Sequence, residues 1–554
     1  MSRPKILAGA ALVALAVACY LPVLNAGFIW DDDHYVVDNQ TLRSVSGLAR
    51  IWFAPRALPQ YYPLVHTTFW VEYHLWGLRP AGYHAVNVVL HGLAAVLLWR
   101  VLARLGVPGA WLAGAIFAVH PVHVESVAWI TERKNVLSAV CCLGSLFAWI
   151  RYYGLDDSED AGRRWWWIAG VALFVAAMLA KTVAASLPVV VLILVWWKRG
   201  RVSARDLTAL APLFVLGVAL GLTTVWLEKH HVGAEGAEWN LSPAERFLVA
   251  GRAVCFYLGK LIWPVDLTFI YPRWRIDAGA PGQYLYPAAV VAALAGLWLA
   301  RHRLGRGPFA ASAVFVIVLS PALGFFDVYP MRYSFVADHF QYHASAAMIA
   351  LAAAVLKRIL PDRRALAAVG LVVVAILGAV TWRQCGFYRD AESLWVATLA
   401  RNPGAWMAHN NLGELRARQG RSDEAMAHFR EALRLKPDHA SARSNLGVAL
   451  AMSGRLDEAL PELAAAVDAA PEIANLRFNL AVALAQSGRM DAAIVELQRA
   501  VRVAPQYAAA HAMLGRMLAS QGRYDEAAAH LREALAAGGA DPRTLELLRE
   551  LERR

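Results

Sequence analysis

Charge is scarce in this chain of 554 residues: charged residues make up 17% of it, against 58% hydrophobic residues. That shortage excludes the three or four soluble domains that the length alone would suggest. Cysteine is scarce too. Cys19, Cys141, Cys142, Cys255 and Cys385 lie mostly in apolar runs and show no metal-ligand spacing, which argues against a disulfide framework or a zinc site. No glycine-rich phosphate loop and no Asp-x-Asp motif occurs in a soluble part, which speaks against a nucleotide-sugar donor. Acidic residues are the minority charge, 42 against 54 Lys and Arg, for a net +12. In a membrane protein basic residues collect in cytoplasmic loops, so this surplus does not imply nucleic acid, and no such partner is expected.

Apolar runs are what the sequence has in abundance. Candidate membrane helices are 6–24, 83–104, 109–127, 135–152, 165–181, 183–198, 206–227, 284–300, 308–326, 338–356 and 364–382. The 21 Trp and 18 Tyr suit helix ends anchored at an interface. The first run follows Arg3 and Lys5 as a signal peptide would, but without a clean small-residue cleavage site, and it reads as an uncleaved helix. Segment 246–264 carries Arg252 and Lys260. The basic groups Arg100/Arg104, Arg163/Arg164, Lys198–Arg205, Arg301–Arg306 and Lys357–Arg364 share one side only if 246–264 does not cross, so it reads as interfacial or re-entrant. The N-terminus is then cytoplasmic and the C-terminal region outside; a twelfth crossing would reverse the latter. The expected fold is all-α, with about 11 membrane helices.

The last quarter repeats every 34 residues. Gly420, Gly454, Gly488 and Gly522 form one column, and Pro403, Pro437, Pro471 and Pro505 another. Leu412, Leu446, Leu480 and Leu514 recur with Gly413, Gly447, Ala481 and Gly515 after them. Ala425, Ala459, Ala493 and Ala527 recur as well, as do Phe429, Leu463, Leu497 and Leu531. Small residues let paired helices approach and the large apolar residue fills the gap, so this resembles the tetratricopeptide repeat, an α-solenoid. The expected division is a membrane domain over 1–385 with a long first outer loop at 25–82, a connecting half-repeat helix over 386–403, four repeats over 404–539, and a helical cap over 540–554. Such arrays usually bind peptides or proteins; a spacer without ligand is the plain alternative.

Chemistry belongs in the outer loops, which include 228–245 and FIYPRWR at 269–275. Asp31, Asp32 and Asp33 follow an apolar helix and Trp30. Adjacent carboxylates near low-dielectric protein hold protons more tightly, which suits a general base or a partial divalent-cation site; a solvated acidic cap is the other reading. The loop HPVHVESVAWITERKN sets His120, His123, Glu125, Glu132, Arg133 and Lys134 in an otherwise apolar stretch. Charges at a bilayer edge must pair or face a wet cavity. Arg133 and Lys134 can hold an anionic phosphate. His-Pro-Val-His has a metal-like spacing but no third ligand. Lys181 reads either as a boundary lysine or as a second phosphate-contacting cation.

WDDDHYV, HPVHVESVAWITERKNVL, the lysine of MLAKTVAASLP, and ADHFQY, followed by the repeats, together resemble one family: the transmembrane and tetratricopeptide repeat-containing glycosyltransferases, whose animal members are protein O-mannosyltransferases. The resemblance covers nearly the whole chain and extends to bacterial relatives of the same layout. It implies the C-type glycosyltransferase fold, a polyprenyl-phosphate-linked sugar donor, with mannose as one option, and transfer on the outer face of a bacterial inner membrane. Carried over, the paired Asp falls on Asp32 and Asp33, beside Tyr35. The second-loop charges fall on Glu125, Glu132, Arg133 and Lys134. Bacterial relatives often carry Asp-Arg-Tyr where this chain has Asp338, His339 and Phe340, and Asp at the position of Asn135. The expected mechanism has Asp32 or Asp33 deprotonate an acceptor hydroxyl while Arg133, Lys134, Lys181 and His339 stabilise the leaving phosphate. Tyr35, Tyr62, His120, His123, Glu125, Glu132, Asp338 and Tyr342 are the supporting residues. The acceptor is a polypeptide held by the repeats, or else a glycan or lipid head group. The expected partners are these substrates and membrane lipid, without nucleic acid, and no cofactor is assigned besides the divalent cation that Asp31–Asp33 would admit. The rival readings are a non-catalytic repeat scaffold anchored in the membrane and a lipid-linked sugar transporter.

Overall fold

The computed structural model describes residues 3–156, 162–232, 239–538 and 541–553; part of the 228–245 loop and the junction between the last repeat and the C-terminal cap lie outside them. The described residues contain helices and no strand. The chain divides into two compact units, Met1–Asn402 and Pro403–Arg554.

Among the described residues of the first unit, eight helices are long and apolar enough to cross a bilayer: Arg3–Asn25, Pro80–Arg104, Ile130–Tyr153, Thr182–Arg199, Ala204–His230, Pro281–Leu299, Asp338–Ile359 and Arg363–Tyr388. Three shorter apolar helices, Ala110–Val119, Arg164–Ala180 and Gly307–Ala322, occupy the remaining runs. The protein is a multi-pass membrane protein.

The expected span 109–127 is cut short, because the helix stops at Val119, ahead of Pro121. A proline lacks the N–H that would continue the ladder and forces its predecessor into extended backbone, here His120 at ψ 127°. Short 3-10 and α turns then carry the chain from Pro121 to Glu132. This irregular backbone is buried throughout. Pro243–Ile262 forms a helix opened by a Ser242–Glu245 capping box, and it is not among the apolar crossing helices.

Two sets of contacts orient this unit. The basic loops gather at one end: Lys198 Nζ donates to the Leu105 carbonyl at 3.2 Å, Arg104 pairs with Asp156, and Arg306 lies 6.0 Å from the Trp196 ring centroid. The loops around Gly27 and Ile270 meet the end of the unit. Gly27 N donates to the Arg389 carbonyl at 2.9 Å, and Asn402 Nδ2 donates to the Ile270 carbonyl at 3.1 Å. The expected half-repeat helix is Ala391–Arg401, capped by Asp390, and it belongs to this first unit; its Trp395 packs edge-on to Phe269 at 5.7 Å.

The second unit is four helix pairs and a final helix, Pro542–Leu551. A Cβ on Gly447 would lie 2.6 Å from Leu463 Cγ, and one on Gly515 2.7 Å from Leu531 Cγ, so the small-residue column sets how closely the paired helices approach. Gly420, Gly454, Gly488 and Gly522 have φ between +75° and +78° and turn the chain between the helices of each pair.

Candidate active site

Trp30 adopts φ +46°, a left-handed conformation that a non-glycine residue holds only when its surroundings enforce it. Here the indole is clamped: it stacks on Trp129 with centroids 5.3 Å apart and meets Phe269 edge-on at 5.1 Å. The turn separates the three aspartates that follow. Asp31 lines a cavity of about 680 Å³ together with His34, Tyr35, Gln60, Trp129, Glu132, Lys134 and His339. Asp32 and Asp33 do not line it.

Glu132 organises the opposite wall. Its carboxylate lies 3.1 Å from Lys134 Nζ through one oxygen and 3.1 Å from Lys181 Nζ through the other, and it also accepts from Asn135 Nδ2 at 2.6 Å. The two ammonium groups share this carboxylate, and Lys134 also feels the charge of Asp31. Asn135 Nδ2 further donates to Ser126 Oγ and to the His339 carbonyl, both at 3.0 Å. His339 Nδ1 lies 2.7 Å from Glu125 Oε1. Lys134 also sits over the Tyr35 and Trp129 rings, at 5.5 and 5.7 Å. Burial pushes the Asp31 carboxyl above the usual aspartate range, with the charge of Lys134 pulling the other way.

Several of the expected site residues stand away from the cavity wall. Asp32 is wholly buried and its carboxylate is fully engaged: Oδ1 accepts from Thr131 N at 2.8 Å and Thr131 Oγ1 at 2.6 Å, and Oδ2 accepts from Ile29 N at 3.0 Å. It fastens the first outer loop to the second. Burial raises its pKa to about 7, against those three hydrogen bonds. Asp33 is exposed, off the cavity wall. Arg133, expected on the donor phosphate, points away from the cavity and is wholly buried. Its NH1 lies 2.5 Å from Glu72 Oε1, and it donates to Thr68 Oγ1 at 3.1 Å, to the Tyr83 carbonyl at 2.8 Å and to Asn87.

The His-Pro-Val-His residues are internal fasteners. His120 Nε2 lies 3.0 Å from the Leu261 carbonyl, and His123 bridges the Phe117 carbonyl and Ser345 Oγ, both at 2.8 Å. Burial holds both rings below the usual histidine pKa. Among the described residues no three His, Cys, Asp or Glu side chains stand together as a metal cage. Of the other expected support residues, Tyr35 donates to Gln60 Oε1 at 2.7 Å, and Tyr62 is buried behind the wall. Asp338 accepts from Tyr271 OH at 3.0 and 3.1 Å. Tyr342 is wholly buried, its hydroxyl 2.7 Å from His91 Nδ1.

Gln60 and Glu228 had no sequence signal. Gln60 Oε1 accepts from both Tyr35 and Lys134, and its Nε2 donates to Glu228 Oε1 at 2.6 Å. A single glutamine in a long loop carries no pattern, and Glu228 reads as the polar end of an apolar run.

The fold and cavity define a multi-pass α-helical membrane protein with a charged pocket formed by its loops and tetratricopeptide repeats at its C-terminus. Residues 384–440, 418–472, 450–517 and 484–551 match models of the tetratricopeptide repeat. Part of the chain is similar to proteins named protein O-mannosyl-transferases of the TMTC type. It is 38% identical to Protein O-mannosyl-transferase Tmtc1 of Drosophila melanogaster over 161 residues, 27% of this chain and 19% of that protein. It is 32% identical to Protein O-mannosyl-transferase TMTC3 of Mus musculus over 157 residues, 26% of this chain and 17% of that protein. With Protein O-mannosyl-transferase F38B6.6 of Caenorhabditis elegans it shares 23% identity over 462 residues, 77% of this chain and 62% of that protein. The first two alignments thus span about a fifth of the relatives' length. Among solved structures, MamA of Desulfovibrio magneticus RS-1 matches 27% of this chain and 85% of its own at 24% identity, with a TM-score of 0.25.

Proposed function

We propose that this chain is an inverting membrane glycosyltransferase. It moves a sugar, mannose by analogy with the relatives' name, from a polyprenyl-phosphate donor to a Ser or Thr hydroxyl of a polypeptide. The observation that carries this reading is the pairing of Asp31 with Lys134 in one cavity, the lysine held by Glu132. Asp31 accepts the acceptor's proton as the hydroxyl oxygen attacks the anomeric carbon. The bond from that carbon to the phosphate oxygen breaks, and the lipid phosphate leaves with its electron pair. The phosphate gains negative charge in that step, and Lys134 with Lys181 stabilises it. His339, held by Glu125, lies on the same wall.

A second, apolar groove of about 640 Å³ supports the lipid part of the reading. Along the Tyr342–Ile359 helix its wall takes in His343, Ala347, Ala350, Leu351 and Ala354, and ends at Lys357 and Arg358. That is a stripe of fifteen residues or so, about 21 Å long at 1.5 Å per residue. The donor's prenyl chain lies there. The basic loops at one end of the unit support a cytoplasmic assignment for that end, with the cavity and the repeats on the periplasmic side of a bacterial inner membrane. The repeats hold the acceptor polypeptide.

The test is mass spectrometry of envelope proteins from cells that carry the wild type, Asp31→Asn or no copy. Hexose-modified Ser/Thr peptides present with the wild type and missing from the other two support the proposal. Identical glycopeptides in all three cell types would end it.

A further inference from the structure

Several buried polar atoms around the candidate site have no partner, among them Trp129 Nε1, both amide atoms of Gln341, and a histidine nitrogen at the start of the Tyr342–Ile359 helix. His91, His120 and His123 each have ring nitrogens within hydrogen-bond distance of a carbonyl or hydroxyl. His343 Nε2 is buried and has no partner. An unsatisfied buried nitrogen costs on the order of its lost hydrogen bond, so its persistence calls for a ligand or a function.

Its position says which. His343 lies one helical turn after His339 in the chain, so the two residues succeed each other along one face of the helix start. His339 lines the polar cavity, and His343 lines the apolar groove. Cavity and groove are thus lined by residues one turn of chain apart. The charged groups acting on His343 are Lys181 and Glu132, and Glu132 is also the carboxylate that holds Lys134. A ligand with an apolar tail in the groove and its head in the cavity must place its junction group here. In a polyprenyl-phosphate sugar that junction is the phosphate.

We propose that His343 is a donor-contact residue that hydrogen-bonds the lipid phosphate from the groove side, opposite the lysines that meet it from the cavity side. This rests on the polyprenyl-phosphate reading above and names a residue for it. The bond forms only with the phosphate: a polyprenol of the same chain length fills the same groove without it. His343 thus governs the preference for phosphate over alcohol and leaves the affinity for the chain unchanged.

The experiment measures binding of a polyprenyl monophosphate and of the matching polyprenol to the full-length protein in nanodiscs, for wild type, His343→Leu and His343→Gln. Wild type is expected to prefer the phosphate. His343→Leu is expected to cut that preference about tenfold or more, the usual effect of deleting a hydrogen bond to a charged group, with polyprenol affinity unchanged. His343→Gln, whose amide can still donate, is expected to keep much of the preference. A full preference in His343→Leu overturns the proposal. So does an equal loss of both ligands in both variants, which would make His343 part of the groove wall only. A wild type that binds polyprenol and polyprenyl phosphate alike overturns the donor reading itself.

Discussion

Arg133 and Glu72 form an ion pair closed off from solvent: the guanidinium is fully buried, and NH1 stands 2.5 Å from the carboxylate. The next residue, Lys134, faces the cavity. Two adjacent cations thus have opposite duties, one in holding the loops together and one in the pocket.

Substitution separates these duties. Arg133→Ala strands a buried carboxylate and is expected to cost about 3–5 kcal/mol of stability, seen as low yield and a lowered melting temperature in detergent. Lys134→Ala is expected to leave the melt nearly unchanged and to lower transfer by about a hundredfold or more. Equal melting of the two variants would remove the distinction.

Among the aspartates the expected order is equally specific. Asp31→Asn is expected to fold normally and to lose transfer by about 10²–10⁴-fold. Asp32→Asn replaces an acceptor oxygen with an amide nitrogen facing Thr131 or Ile29 donors, which is expected to cost about 1–3 kcal/mol of stability. Thermal melts and transfer assays on the same preparations check both. Full activity in Asp31→Asn would return the base to another group.

Burial raises the Asp31 pKa, and the base must be ionised to act. The transfer rate is therefore expected to rise with pH on its acid limb, with a midpoint above the roughly 3.9 of a free aspartate. Neutralising the opposing charge with Lys134→Met removes a contribution that lowers the pKa, so residual activity should show that midpoint displaced further upward. A pH–rate profile of both proteins reads this directly, and a downward displacement would contradict it.

The repeats carry a pH dependence of their own. His409 and His428 meet at 3.1 Å through their Nδ1 atoms, as do His511 and His530. At the same places in the two inner repeats stand the ion pairs Arg443–Glu462 and Arg477–Glu496, both at 2.9 Å. Partial burial, and next the facing histidine, lower the pKa of His428 and of His530. A depressed folded pKa means that the unfolded chain binds more protons, so the outer repeats are at full stability above about pH 6.5 and lose it as pH falls. Hydrogen exchange at pH 7.5 and pH 5 is expected to show loosening in the first and last repeats. The double substitution His409→Arg with His428→Glu should abolish it in the first.

The repeats were legible because a strict 34-residue period exposes every column four times. The membrane helices were legible from length and hydropathy alone. The break after Val119 was carried by Pro121 yet hidden inside a continuous apolar run. Within the site, residue types were readable and side-chain directions were not. Asp31, Asp32 and Asp33 differ only in how the strained Trp30 turn fans them out. Arg133 and Lys134 differ only in which way the start of one helix faces. His343 looked like one more histidine at a span's edge, because an unpartnered nitrogen is a property of packing.

The groove along the Tyr342–Ile359 helix has a finite reach, closed by Lys357 and Arg358. Only the isoprene units nearest the phosphate fit within that distance, and the remainder of a long carrier must trail into the surrounding bilayer. On the proposed reading the protein would thus select the head of the carrier and not the length of its tail. Shortened, water-dispersible carriers that just fill the groove should serve as well as full-length ones, which makes the activity accessible to soluble assay.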